Sequence, residues 1–309
     1  MALGIRPVID FVFKMLFGKE DNTDLLIHLL NAVLKPERPI VEAYIRNPFN
    51  EKEYDSDKLS VVDIKARDAA GDWYVIEMQT TLTDGIENRL IYYTASIYAA
   101  QMQEGDPYHD LSRAITICFL TNSLYPDIES GHLQFQLRDA DHDVDFSDQF
   151  QIHLIELPKY DLDADTVAHQ DPLDQWAFFL SKADQYDSKE LERILPDPAF
   201  HKATGVLEMI TREPELRLLY DDQTKAELDR QWQISGAHRA GWKEGKAEGK
   251  AEGKAEGLER GELLGQIKLL QRLLRTNGDQ SVSLESLELG ELQDLARSLS
   301  KRFETQSKL

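Results

Sequence analysis

The chain has 309 residues, a formal net charge of −21 and 41% hydrophobic side chains. That composition supports a packed core and argues against wholesale disorder, while the acidity weakens non-specific attraction to phosphates. No apolar run approaches the roughly 18 residues needed to cross a bilayer, so no membrane partner is expected. The start, MALGIRPVIDFVFKMLFG, is interrupted by Asp10 and lacks the basic-then-apolar order of a signal peptide. The single cysteine, Cys118, excludes an internal disulfide, and a reducing, cytoplasmic location is the expectation. The acidity is uneven. Residues 1–125 carry 12 basic and 19 acidic groups, whereas residues 126–238 carry 10 and 25.

Residues 8–17 and 23–34 have helical apolar spacing, the second with Thr23 or Asp21 placed to cap it and Pro36 and Pro39 to end it. Residues 40–47, 59–67 and 73–80 alternate as strands do, and Gly71-Asp72 between the last two predicts a hairpin. Residues 86–103 predict a helix with Leu90, Tyr93, Ile97 and Ala100 on one face, broken by Gly105-Asp106-Pro107. The apolar run 113–121 predicts a buried strand. Helix, strands, helix and strand in this order predict an α/β fold, with helices packed on a mixed sheet. Beyond it, 132–137 and 150–157 read as strands, and 174–195 and 199–220 as helices. The division expected is a core over 1–125, an acidic extension over 126–235 that completes the domain, a glycine-repeat segment over 236–276 and a small helical segment over 277–309.

Asp63 lies in an apolar strand, where an acidic side chain is costly unless paired or bound to a cation. Glu77 lies in the next strand, with Gln79 two residues on and therefore on the same face. In a hairpin, Asp63 can lie beside Glu77, and two carboxylates with the Met78 carbonyl make a hard-oxygen site suited to Mg²⁺ or Mn²⁺. The alternative is that both acids pair with Lys65 and Arg67 on a solvated sheet face. Asp10 and Lys14, one helical turn apart, read as an ion pair. Zinc-type His/Cys spacing, a phosphate-binding loop ending in Lys-Ser/Thr and Gly-x-Ser-x-Gly are all absent.

The segments DFVFKMLFG, LSVVDIKARD, WYVIEMQ, ENRLIYYTASIYAAQMQEGDPYHDL and AITICFL, in this order and followed by a glycine-rich KAEG tail, resemble the PD-(D/E)XK family transposases, also called recombination-promoting nucleases. The resemblance implies a restriction-endonuclease-like core. It also implies a Mg²⁺- or Mn²⁺-dependent DNA endonuclease linked to recombination or mobile elements. Asp63 and Glu77 would hold the metal, and Gln79 would stand where the wider superfamily has lysine. A compensating cation is then sought in Lys65, or in Lys14 and Arg89 of the flanking helices. Lys14, Arg89 and Tyr93 are candidate DNA contacts. The competing reading is a nuclease-fold protein that acts only as an interaction module.

In the tail, glycine recurs every four residues from Gly241 to Gly265, with G-K-A-E units between Gly245 and Gly257. Each glycine costs a helix about 0.8–1 kcal/mol relative to alanine, and the like-charge stripes oppose it further. A flexible linker and a helix that packs closely through its glycine stripe are both compatible with this pattern. The leucine-rich continuation suggests self-association into a homo-oligomer.

Overall fold

The computed structural model describes residues 1–47, 63–274 and 283–306. Residues 59–62 of the second expected strand lie outside them. The chain divides into two compact units, Met1–Gln231 and Trp232–Leu309.

The first unit is a six-stranded mixed sheet in the order β1-β2-β3-β4-β6-β5. Its strands are β1 (Ala43–Ile45), β2 (Ile64–Asp68), β3 (Trp73–Gln79), β4 (Ala114–Leu120), β5 (His132–Asp139) and β6 (Val144–Glu156). β1, β2 and β3 pair antiparallel, β3, β4 and β6 parallel, and β5 returns antiparallel on β6. β4 is buried at every position, as expected of a strand covered on both faces.

One face of the sheet meets α1 (Asp10–Phe17), α2 (Thr23–Leu34), α4 (Pro172–Lys182), α5 (Ser188–Ile194) and α6 (Pro198–Arg212). Ile64, Ala66, Tyr74, Ile76 and Met78 enter that core. Trp176 anchors it: its indole N–H donates to His28 Nδ1 at 2.8 Å, and its ring meets Phe17 and Phe200. The other face carries α3 (Ile86–Ala99), whose Ile86 and Leu90 pack with Cys118, Leu120, Ile152 and Leu154, and whose Ile97 packs with Val75.

Local chemistry departs from the expected boundaries in three places. The expected cap of α2 does not form. Asn22 precedes the helix without a side-chain bond to it, and the Thr23 hydroxyl donates to the Glu20 carbonyl instead. The stretch 174–195 is two helices, because Asp187 opens α5 with a reciprocal capping box to Glu190. The stretch 199–220 is also divided: α6 ends at Arg212, and Pro214 starts α7 (Pro214–Leu273), since proline lacks the N–H that a helix interior needs.

α7 contains the whole glycine repeat, so the segment is helical. A methyl group added at any of these glycines meets no atom within 4 Å among the described residues. In the second unit, Ile267, Leu270 and Leu274 pack on Leu292, Ala296 and Leu299 of α8 (Leu289–Gln306). The apolar face of the continuation therefore has a cover within its own chain, and its leucine pattern does not by itself call for a second copy.

Candidate active site

The β2–β3 hairpin sets the geometry. Gly71 turns it with φ +100°, a conformation costly for side-chain-bearing residues, and a Cβ there would come within 2.9 Å of the Ser112 hydroxyl. Asp68 fixes the turn by accepting from the Asp72 N–H at 2.9 Å and from the Tyr74 hydroxyl at 2.8 Å. Arg113 Nε donates to Asp72 at 2.8 Å, which ties the turn to β4. With Ile64 opposite Ile76, Asp63 falls opposite Glu77.

Backbone N–H groups of the two strands hold the two acids in place. The Asp63 N–H donates to Glu77 Oε1 at 3.0 Å, and the Met78 N–H donates to Asp63 Oδ2 at 2.9 Å. Gln79 Nε2 donates to Glu77 Oε2 at 3.2 Å. Asn47 supports the end of β2 by accepting from the Lys65 N–H at 2.5 Å. Asp63, Glu77 and Gln79 thus converge on one spot.

Lys14 of α1 bridges Asp10 at 3.0 Å and Asp63 at 3.4 Å, so the helical ion pair read from the sequence also belongs to this cluster. Burial opposes the Lys14 charge, and Asp63 and Asp10 outweigh it to raise its pKa. Burial pushes Glu77 up to about 7, against the pull of the Asp63 N–H, Arg89 and Lys14. Asp63 is raised well above the usual carboxylate range by burial, by Glu77 and by Asp10, with Lys14 and the Met78 N–H working against the rise.

Arg89 and Tyr93 approach from α3, on the sheet face that bears Glu77. Arg89 is near enough to lower the Glu77 pKa, and its buried Nε and Nη2 have no hydrogen-bond partner among the described residues. Burial, and next Glu77, raise the Tyr93 pKa, while its ring packs beside Val75, Ile97 and Ala114. Lys65 is not brought into the cluster. Its ammonium lies 4.8 Å from the centre of the Trp73 ring, and Trp73 is four residues before Glu77 along β3.

Sequence reasoning missed one member of the cluster and one residue beside it. Asp10 was legible only as the partner of Lys14, because nothing local shows that α1 ends its pairing on the sheet. Glu227 of α7, 9% exposed, accepts from the hydroxyls of Thr80 and Thr81, just beyond Gln79. Gln231 Nε2 donates to Glu227 at 2.9 Å and Arg230 pairs with it at 3.3 Å. A contact across 146 residues has no local signature.

Among the described residues no group of three or more His, Cys, Asp or Glu gathers as a metal cage. The donor set nevertheless fits a hard divalent cation. Two mutually repelling carboxylates with raised pKa values gain most from a cation that needs few protein ligands and completes its shell with water or substrate oxygens.

A mixed sheet whose antiparallel hairpin sets an aspartate against Glu-x-Gln, with helices on both faces, defines a protein of the PD-(D/E)XK nuclease fold. The chain belongs to the PD-(D/E)XK nuclease family transposases, whose family model matches residues 7–237. That membership supports a nuclease with a link to mobile elements, and DNA as its partner; nucleases of this class generally use divalent metals. No curated protein matches the chain, and no solved structure does. No helix of the described residues is long and apolar enough to cross a membrane.

Proposed function

We propose that the chain is a Mg²⁺- or Mn²⁺-dependent DNA endonuclease that hydrolyses phosphodiester bonds in recombination or mobile-element movement, with Asp63 and Glu77 as the metal-holding carboxylates. The observation that carries this reading is the pair of bonds from the Asp63 N–H to Glu77 and from the Met78 N–H to Asp63, which holds two charge-strained carboxylates side by side. A divalent ion held by Asp63 and Glu77 would lower the pKa of a water and neutralise charge developing on a phosphoryl oxygen. The Met78 carbonyl is the proposed third protein ligand.

Gln79 brings no charge. With its amide N–H₂ on Glu77, its carbonyl oxygen is left to accept from the attacking water and orient it. The cation missing at position 79 is assigned to Arg89. Arg89 lies beside Glu77, and its Nε and Nη2 have no partner among the described residues; a guanidinium can give a phosphate two parallel bonds. Lys14 balances Asp10 and Asp63, and Tyr93 lines the approach from α3. Calorimetry with Mn²⁺ tests the assignment directly. Wild type should bind in a pH-dependent manner and release protons, and Asp63→Asn and Glu77→Gln should each lose most of the affinity. Unchanged affinity in both variants would move the metal elsewhere.

A further inference from the structure

We propose that the face of β1 and β2 that carries Tyr44, Arg46, Lys65 and Arg67 is a platform for single-stranded nucleic acid that leads into the Asp63–Glu77 site. This rests on the nuclease reading and adds a substrate preference to it. In β2, Ile64 and Ala66 enter the core beneath the sheet, so Lys65 and Arg67 point to the opposite face. In β1, Ala43 and Ile45 are buried, so Tyr44 and Arg46 share that opposite face. The register aligns Tyr44, Arg67 and Trp73 in one row across three strands, and Lys65 with Val75 in the next. Val75 and Glu77 occupy this face of β3, so the rows run toward the paired acids.

Among the described residues this face is open at β1 and half-buried at Lys65, Arg67 and Trp73. α3 packs over β3, β4 and β6, while Tyr44 stays 46% exposed and Arg46 exposed. Three cations and two aromatic rings are layered on it. Lys65 Nζ lies 4.8 Å and the Arg67 guanidinium 5.3 Å from the Trp73 ring centre, and the Arg46 guanidinium lies 5.6 Å from that of Tyr44. Arg67 Nε also donates to the Gly71 carbonyl at 3.0 Å, which fixes its plane. Glu42, just before β1, accepts from the Tyr44 hydroxyl.

In a chain of net charge −21, three cations grouped on one face among the described residues run against the composition. Cations interleaved with ring faces complement a strand whose phosphates alternate with stackable bases. Duplex DNA keeps its bases inside the stack and offers such rings nothing, so the aromatic layer selects the single strand.

The test is fluorescence anisotropy of the full chain with a short labelled oligothymidylate in EDTA, against a duplex of equal length. Chelator removes cleavage from the measurement, so binding is read independently of the metal site. Wild type should prefer the single strand. Tyr44→Ala, at an exposed position, should weaken binding about fivefold or more with the salt dependence unchanged, because it removes stacking and no charge. Lys65→Gln should weaken it and reduce the slope of log affinity against log salt by about 0.7. Equal or tighter binding of the duplex, wild-type affinity in either variant, or no binding to the oligonucleotide would each overturn the proposal. A chain that binds as expected and never cleaves with any metal would sink the nuclease reading alone. One that cleaves and binds equally well as Tyr44→Ala would sink the platform alone.

Discussion

Glu77→Gln separates the charge of the site from its shape. Burial raises Glu77 from its ordinary 4.5 to about 7, so without metal its ionisation opposes folding. The sign follows from linkage: a carboxyl raised in the folded state contributes fully below its unfolded value and loses that contribution as pH rises through about 7. At about 1.4 kcal/mol per pKa unit, the penalty above pH 8 is on the order of 3 kcal/mol. Glutamine keeps one acceptor oxygen and replaces the other by an amide nitrogen, so one of the bonds from the Asp63 N–H and Gln79 is lost, costing about 1 kcal/mol. The metal-free variant should therefore be about 2 kcal/mol more stable than wild type near pH 8, roughly 4–8 °C in Tm for a unit of this size. Near pH 5 wild-type Glu77 is protonated when folded, and the advantage should vanish or reverse. Thermal melts in EDTA across this range are the assay. Adding Mn²⁺ at the higher pH should then raise the Tm of wild type and leave the variant behind. A variant destabilised more at high pH than at low pH would refute the claim that Glu77 is a strained acid held for a cation.

Asp63→Ala and Glu77→Ala should abolish metal-dependent cleavage with the circular dichroism spectrum preserved, and full activity in both would place the chemistry elsewhere. Arg89→Gln should lower the cleavage rate by tenfold or more while Mn²⁺ affinity stays within a few-fold, as expected of a group that meets phosphate and not metal; an unchanged rate would remove Arg89 from the site. Gln79→Lys should raise activity by returning a positive charge beside the scissile phosphate, checked by single-turnover rates. In the tail, Gly249, Gly253 and Gly257→Ala should raise helicity, at up to about 1 kcal/mol per site, without changing the mass measured by light scattering. A loss of mass would show that the glycine stripe meets another copy.

The hairpin is legible in the chain because Gly71-Asp72 sits between two alternating runs, and that alone brings Asp63 opposite Glu77. Period-two alternation likewise tells which residues accompany them on the face. What alternation does not carry is the reach of a long side chain. Lys65 shares the face of Asp63, yet Trp73 captures its ammonium, since a ring two rows from the acids offers it an aromatic partner. Nor does local pattern show which elements meet. The approach of α1 that brings Asp10 and Lys14 to Asp63, and the return of Glu227 to Thr80 and Thr81, are products of tertiary packing. The helix of the glycine repeat is a further case. Its propensities are poor, and it continues into a leucine face that α8 covers.

The most direct measurement is nicking of supercoiled plasmid by the purified full-length chain with Mg²⁺ or Mn²⁺, with and without EDTA, alongside Asp63→Ala. Nicking that requires metal, stops with chelator and is lost in the variant is the expected result. Nicking that persists in EDTA or in Asp63→Ala, or no nicking with either metal, would contradict a nuclease centred on Asp63 and Glu77.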